Sequence, residues 1–147
     1  MWQRKQTIYL VLALVAICFC LYLPVLGFTP MAMAPETLLY NLGSLGVEVV
    51  DKPWILFIFL ALAFILNLVA IFMFKNRKLQ MKLITWAAIA CVGWYVYLLV
   101  CLDWTKISQY SVKLGVCLPL VAMVLNYMAF RGVKADEKLV RSMDRIR

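Results

Sequence analysis

Four stretches of this chain contain no Asp, Glu, Lys or Arg: Gln6–Pro35, Pro53–Phe74, Leu83–Leu102 and Leu114–Phe130. A helix needs about 17–25 predominantly apolar residues to cross a hydrocarbon core roughly 30 Å thick. The second and third runs meet that length directly. The first holds a span over about 7–26, followed by an uncharged loop. The fourth extends back through the uncharged Ile107–Val112, provided that Lys113 snorkels outward. Of the 147 residues, 66% are hydrophobic, far above the roughly 45–50% of a soluble chain. A soluble domain of this size could not hide so much apolar surface in one core, whereas a lipid-embedded one need not. The sequence therefore predicts an all-α fold, a four-helix transmembrane bundle. Its spans are about 7–26, 53–74, 83–102 and 110–130, with an outer loop 27–52 and a cytoplasmic tail 131–147.

Arg4 and Lys5 give the first span a basic start, and Ala32-Met33-Ala34 has the small residues of a cleavage site. The apolar stretch nevertheless outruns the roughly 7–15 residues of a signal peptide, and Pro35 would directly follow the cut. The span is expected to be retained.

Basic residues resist translocation and so mark the cytoplasmic side. One face collects twelve. These are Arg4 and Lys5 at the start; Lys75, Arg77, Lys78 and Lys82 between spans two and three; and Arg131, Lys134, Lys138, Arg141, Arg145 and Arg147 in the tail. The opposite face has only Lys52, Lys106 and Lys113. Both ends are accordingly expected in the cytoplasm. The net charge of +8 is then a topology signal plus attraction to anionic lipid headgroups, and implies no nucleic acid. Trp2, Tyr9, Trp54, Trp86 and Trp104 fall near span ends, where an aromatic belt would put them.

The outer loop is mildly acidic and is broken by Pro30, Pro35, Gly43 and Gly46. Thr37–Leu42 is expected to form a helical turn and Val47–Val50 a short strand, the loop resting as a lid on its own bundle. In the tail, a helix over 134–147 puts Lys134, Lys138, Arg141 and Arg145 in one stripe, with Ala135, Leu139, Met143 and Ile146 opposite. Glu137 precedes Arg141 by four residues, the favourable order for a helical ion pair. Two uses fit this short cytoplasmic amphipathic helix: a solvated extension near headgroups, or a docking helix with its apolar side against a partner. Lys134, Lys138, Arg141, Arg145, Leu139, Met143 and Ile146, with Lys75, Arg77 and Lys78 of the central turn, are the candidate contacts for a partner or lipid.

The chain has no histidine, which removes histidine bases, serine–histidine triads and the usual zinc sets. No span carries a carboxylate or lysine at mid-depth, the group that ion-coupled transporters generally use. The five cysteines include no Cys-x-x-Cys pair and read first as small packing residues. Cys101 and Cys117 could lie at similar depth and pair in an oxidising compartment. Asn67 and Asn126 suit an interhelical hydrogen bond, with a ligand crevice including Tyr127 as the rarer use. Pro119 is expected to bend helix four and free the carbonyl of Gly115. No catalytic, cofactor or metal constellation emerges.

Three stretches together resemble a known family: Met1-Trp2-Gln3-Arg4-Lys5-Gln6-Thr7 with Tyr9-Leu10, the turn Phe74-Lys75-Asn76-Arg77-Lys78-Leu79-Gln80, and the ending Lys134–Arg147. The resemblance is to an uncharacterised four-span integral membrane family of Bacteroidota, catalogued as a domain of unknown function. It implies four spans in a bacterial cytoplasmic (inner) membrane and no assigned activity. Phe130-Arg131-Gly132-Val133 departs from the Asn-Arg-containing run associated with that family. The expected function is a non-enzymatic subunit or accessory/assembly factor of a larger membrane complex, with no cofactor. A small-molecule or lipid transporter and an outer-face thiol redox enzyme using Cys101 and Cys117 are the alternatives.

Overall fold

A computed structural model describes residues 2–29, 36–45, 54–73, 76–102 and 110–144. Four helices dominate: α1 (Trp2–Tyr22), α2 (Trp54–Phe72), α3 (Arg77–Cys101) and α4 (Cys117–Asp144). They form a ring in which α1 and α3 each pack against both α2 and α4. Among the described residues, α2, α3 and Leu114–Val140 are long and apolar enough to cross a membrane, while the apolar part of α1, Gln6–Tyr22, is shorter.

The buried positions explain the packing. On α2 they are Leu56, Leu60, Ala63, Asn67 and Ala70. On α4 they run Pro119, Ala122, Asn126, Ala129, Val133 and Asp136. These steps alternate between four and three residues, and Gln6, Leu10, Ala13, Ile17 and Cys20 repeat the pattern on α1. An average repeat of about 3.5 keeps one seam facing its neighbours along the whole helix. The seams are rich in alanine, and large side chains such as Ile58, Leu62, Ile65, Val92 and Val96 point outward. In water that outer surface would be one continuous apolar patch. In hydrocarbon it costs nothing, and small seam residues let the backbones approach closely.

A small sheet closes one end, an element absent from the all-α expectation. Strands β1 (Leu26–Phe28), β2 (Thr37–Leu39), β3 (Ser44–Leu45) and β4 (Tyr110–Val112) pair antiparallel in the order β3-β2-β1-β4. The described part of the expected loop, 36–45, packs onto this end of the bundle through the sheet, with Val25, Leu26 and Leu39 joining the core. Thr37–Leu42 is not the expected helical turn. Tyr40 and Gly43 exchange backbone hydrogen bonds of 2.8 and 3.3 Å around Asn41-Leu42, a two-residue hairpin loop of the kind asparagine favours. Val47–Val50 lies outside the described residues.

Residues 110–112, expected inside the fourth span, instead form β4, and a 3-10 turn, Leu114–Val116, leads into α4. Pro119 therefore sits in the first turn of α4, where its missing N–H breaks no helical bond, rather than at a mid-span bend. The Gly115 carbonyl accepts a hydrogen bond from the Cys20 thiol at 3.3 Å. The orphan N–H of Leu120 donates to the Tyr95 hydroxyl at 3.0 Å, and that hydroxyl donates to the Val116 carbonyl at 2.5 Å. Helix starts buried against a neighbour need such partners, and α3 supplies this one.

Candidate functional site

At the end opposite the sheet, α4 runs on as one unbroken helix to Asp144, so the tail is not a separate element. Its seam continues with it. Asp136 is buried, and its carboxylate accepts a 2.6 Å hydrogen bond from the Gln6 amide of α1. Arg77, at the first turn of α3, donates to the Asp136 carbonyl at 2.9 Å. Gly132 permits this approach, because a Cβ there would lie 2.8 Å from the Gln6 side chain. A second amide, Gln80, donates to the Ala70 carbonyl at 3.1 Å and ties α3 to the end of α2. All four helices are thus tied together at this end by polar side chains, Gln6, Gln80 and Asp136 buried and Arg77 half-buried.

The clasp reassigns some of the expected contacts. Arg77 is half-buried and spent on Asp136, so it belongs to the scaffold. Lys78, Lys134 and Lys138 are exposed. Ala135 and Leu139 face away from the bundle, Leu139 with 56% of its surface open, and Val140 is exposed beside it. Among the described residues, Lys134, Lys138, Ala135 and Leu139 flank the seam instead of joining it. Lys75, Arg145 and Ile146 lie outside the described residues, and of Arg141 and Met143 only the helical backbone is described. Asp136, Gln6 and Gln80 were not singled out from sequence, although Asp136 continues the Asn126, Ala129, Val133 spacing.

Between α3 and α4 at this end lies a groove of about 640 Å³ lined by Lys78, Lys82, Trp86, Ile89, Phe130 and Lys134, among others. A second hollow flanks the same α4 ridge at Tyr127, Arg131 and Lys138, where the Arg131 guanidinium stands 5.9 Å over the Tyr127 ring. Tyr127 is 61% exposed and points away from the bundle interior, so it does not join a crevice with Asn67 and Asn126.

Those two asparagines are fully buried, and neither amide has a hydrogen-bond partner. The expected interhelical bond is not made. Asn67 lies between Ala63 and Ala70, and Asn126 between Ala122 and Ala129, each where one apolar cluster gives way to the next. All five cysteines are free thiols, Cys101 half-buried and Cys117 exposed. Among the described residues, no three Cys, Asp or Glu side chains gather so as to hold a metal ion.

At the sheet end, Asn41 reaches from the hairpin loop into the bundle. Its amide donates to the Cys20 carbonyl at 2.6 Å in the last turn of α1, and its oxygen accepts from the Trp94 indole at 2.9 Å. Among the described residues Trp94 is the largest fully buried side chain, and it stands edge-on to Tyr95, with ring centroids 4.9 Å apart. Along the sheet, the Glu36 carboxylate pairs with Lys113 at 2.7 Å and accepts from the Ser111 hydroxyl at 2.5 Å. Those two hydrogen bonds, to Lys113 first and Ser111 second, hold the Glu36 carboxyl below its ordinary range. Gly27 makes room for the cluster, since a side chain on it would collide with both Glu36 and Ser111.

A search of the curated proteins finds no match to this chain. A family profile, however, matches residues 2–146, nearly the whole length described above. The chain belongs to the family described as Domain of unknown function (DUF4293).

Proposed function

We propose that this chain is a non-enzymatic accessory or assembly subunit of a larger membrane complex, inserted by four spans with both ends in the cytoplasm of a Bacteroidota-type bacterium. The twelve basic residues at the terminal end support that orientation. The observation that carries the functional reading is the α4 extension. A tail that merely trailed into solvent would need no fixed exit. Here the Gln6–Asp136–Arg77 clasp sets the exit angle, and the helix beyond it presents Lys138 with exposed Leu139 and Val140. A rigid helix with an apolar patch beside basic residues is a low-entropy docking element. Substituting Leu139→Asp with Val140→Asp leaves the clasp intact and is expected to release partners recovered in mild detergent. An unchanged partner set would remove this reading.

One observation favours a second use, the passage or binding of a small polar molecule. Four buried amide atoms on Asn67 and Asn126 lack protein partners, and each such atom costs about 1–3 kcal/mol if left unpaired. A ligand that donates and accepts would offset that cost. Ligand-dependent thermal stabilisation that disappears in Asn67→Leu supports this use, and its absence across polar solutes argues against it.

A further inference from the structure

The α3–α4 groove has a chemical direction. Lys78, Lys82 and Lys134 sit at its terminal end, beside Glu137. Trp86, Ile89 and Phe130 line it toward the bundle middle, Trp86 being 61% exposed and Ile89 about half open. On α3 these residues follow one stripe, and Lys78 to Ile89 spans about 16 Å at 1.5 Å per residue. α4 runs antiparallel, so Lys134 falls beside the lysines of α3 while Phe130 falls beside its apolar positions. The change from cationic to apolar therefore runs along the helix axes, which in a membrane is the direction from headgroup to acyl chain.

We propose that this groove binds one anionic phospholipid, its headgroup phosphate held by Lys78, Lys82 and Lys134 and its upper acyl chain laid along Trp86, Ile89 and Phe130. Charge complementarity fixes the sign of the headgroup, with three ammonium groups against one carboxylate. The depth of the apolar half fixes the class. A soluble acidic partner could meet the lysines but would have to enter hydrocarbon to cover Ile89. Long lysine stems reach along the groove while their charges stay at the interface. Basic pockets between transmembrane helices bind anionic headgroups, and each cation near an anionic lipid surface contributes roughly 1 kcal/mol. This inference rests on insertion in lipid, and not on the accessory-subunit reading.

The test is native mass spectrometry of the full delipidated chain in mild detergent, titrated with phosphatidylglycerol and phosphatidylcholine of identical acyl chains. One phosphatidylglycerol is expected to be retained preferentially. Lys78→Gln, Lys82→Gln and Lys134→Gln alter exposed side chains, and each is expected to cut the preference roughly fivefold. Lys138→Gln, outside the groove, is expected to leave it unchanged. Trp86→Ala is expected to weaken retention of both lipids without altering the preference. Equal retention of the two lipids, or full preference in the triple lysine variant, would overturn the proposal. So would an equal loss in Lys138→Gln, the mark of a diffuse basic surface, or displacement by glycerol phosphate, the mark of a site for a free anion.

Discussion

Trp94 illustrates how single residues hold this bundle. Its indole fills the core, and its N–H ends in the Asn41 amide, which in turn occupies the Cys20 carbonyl at the end of α1. No water reaches a buried site of this kind to take over a lost bond, so the polar chain must close on itself. Trp94→Phe leaves the Asn41 oxygen buried without a donor, a loss of about 1–3 kcal/mol before any cavity cost. A lower thermal midpoint in detergent is expected, and an unchanged one would contradict the role. Neither partner was legible from sequence. Trp94 lies within a charge-free run, and Asn41 falls in the stretch expected to form a helical turn. Asp136 escaped for a different reason. A helical wheel drawn on the tail alone separates basic from apolar residues, whereas the side that packs is visible only when the spacing of Ala122, Asn126, Ala129 and Val133 is carried past the last apolar turn.

At the scale of elements, the charge-free runs located the helices because desolvating a charge costs more than any packing gain. They said little about which face packs. Helices that are apolar all round give weak amphipathic signals, and their seams are marked by small and polar residues, such as Ala63, Asn67 and Ala70 on α2. The sheet was harder still. Its strands are two or three residues long and are split between two connecting segments, so alternation has no length over which to appear. Two consequences belong here. Asp136→Ala removes the acceptor of Gln6 and should loosen the end of α4 without melting the bundle, seen as faster amide exchange confined to residues beyond Gly132. Uniform exchange along α4 would contradict a local clasp. The sheet seam carries a pH dependence with a definite sign. The Glu36 carboxyl is lowered in the folded state, so its contribution is full above the unfolded-state value and is lost as pH falls through the lowered one. Amides of Tyr110–Val112 are expected to gain exchange in acid, beyond the intrinsic change, and Glu36→Gln should abolish that gain. Seam exchange that rises equally in the variant would assign it elsewhere.

For the whole molecule, the organisation is inside-out relative to a soluble bundle. Alanine, asparagine and some leucine, isoleucine and valine side chains face inward, but more of the branched aliphatic side chains face outward. The two ends differ in kind. One is sealed by a sheet keyed into the core through Asn41, and the other is clasped by Asp136 and leads into a projecting basic helix. That polarity supports a scaffold that anchors in lipid and offers one end to partners. It depends on α1 crossing the membrane together with the longer helices, since its apolar stretch is the shorter one. The decisive measurement attaches protease-cleavable epitopes to both ends and compares sealed spheroplasts with inverted vesicles. Four crossings with cytoplasmic ends predict that both epitopes are protected in spheroplasts and both are cleaved in inverted vesicles. One epitope cleaved in each preparation would mean an odd number of crossings and would contradict the topology on which the proposed function rests.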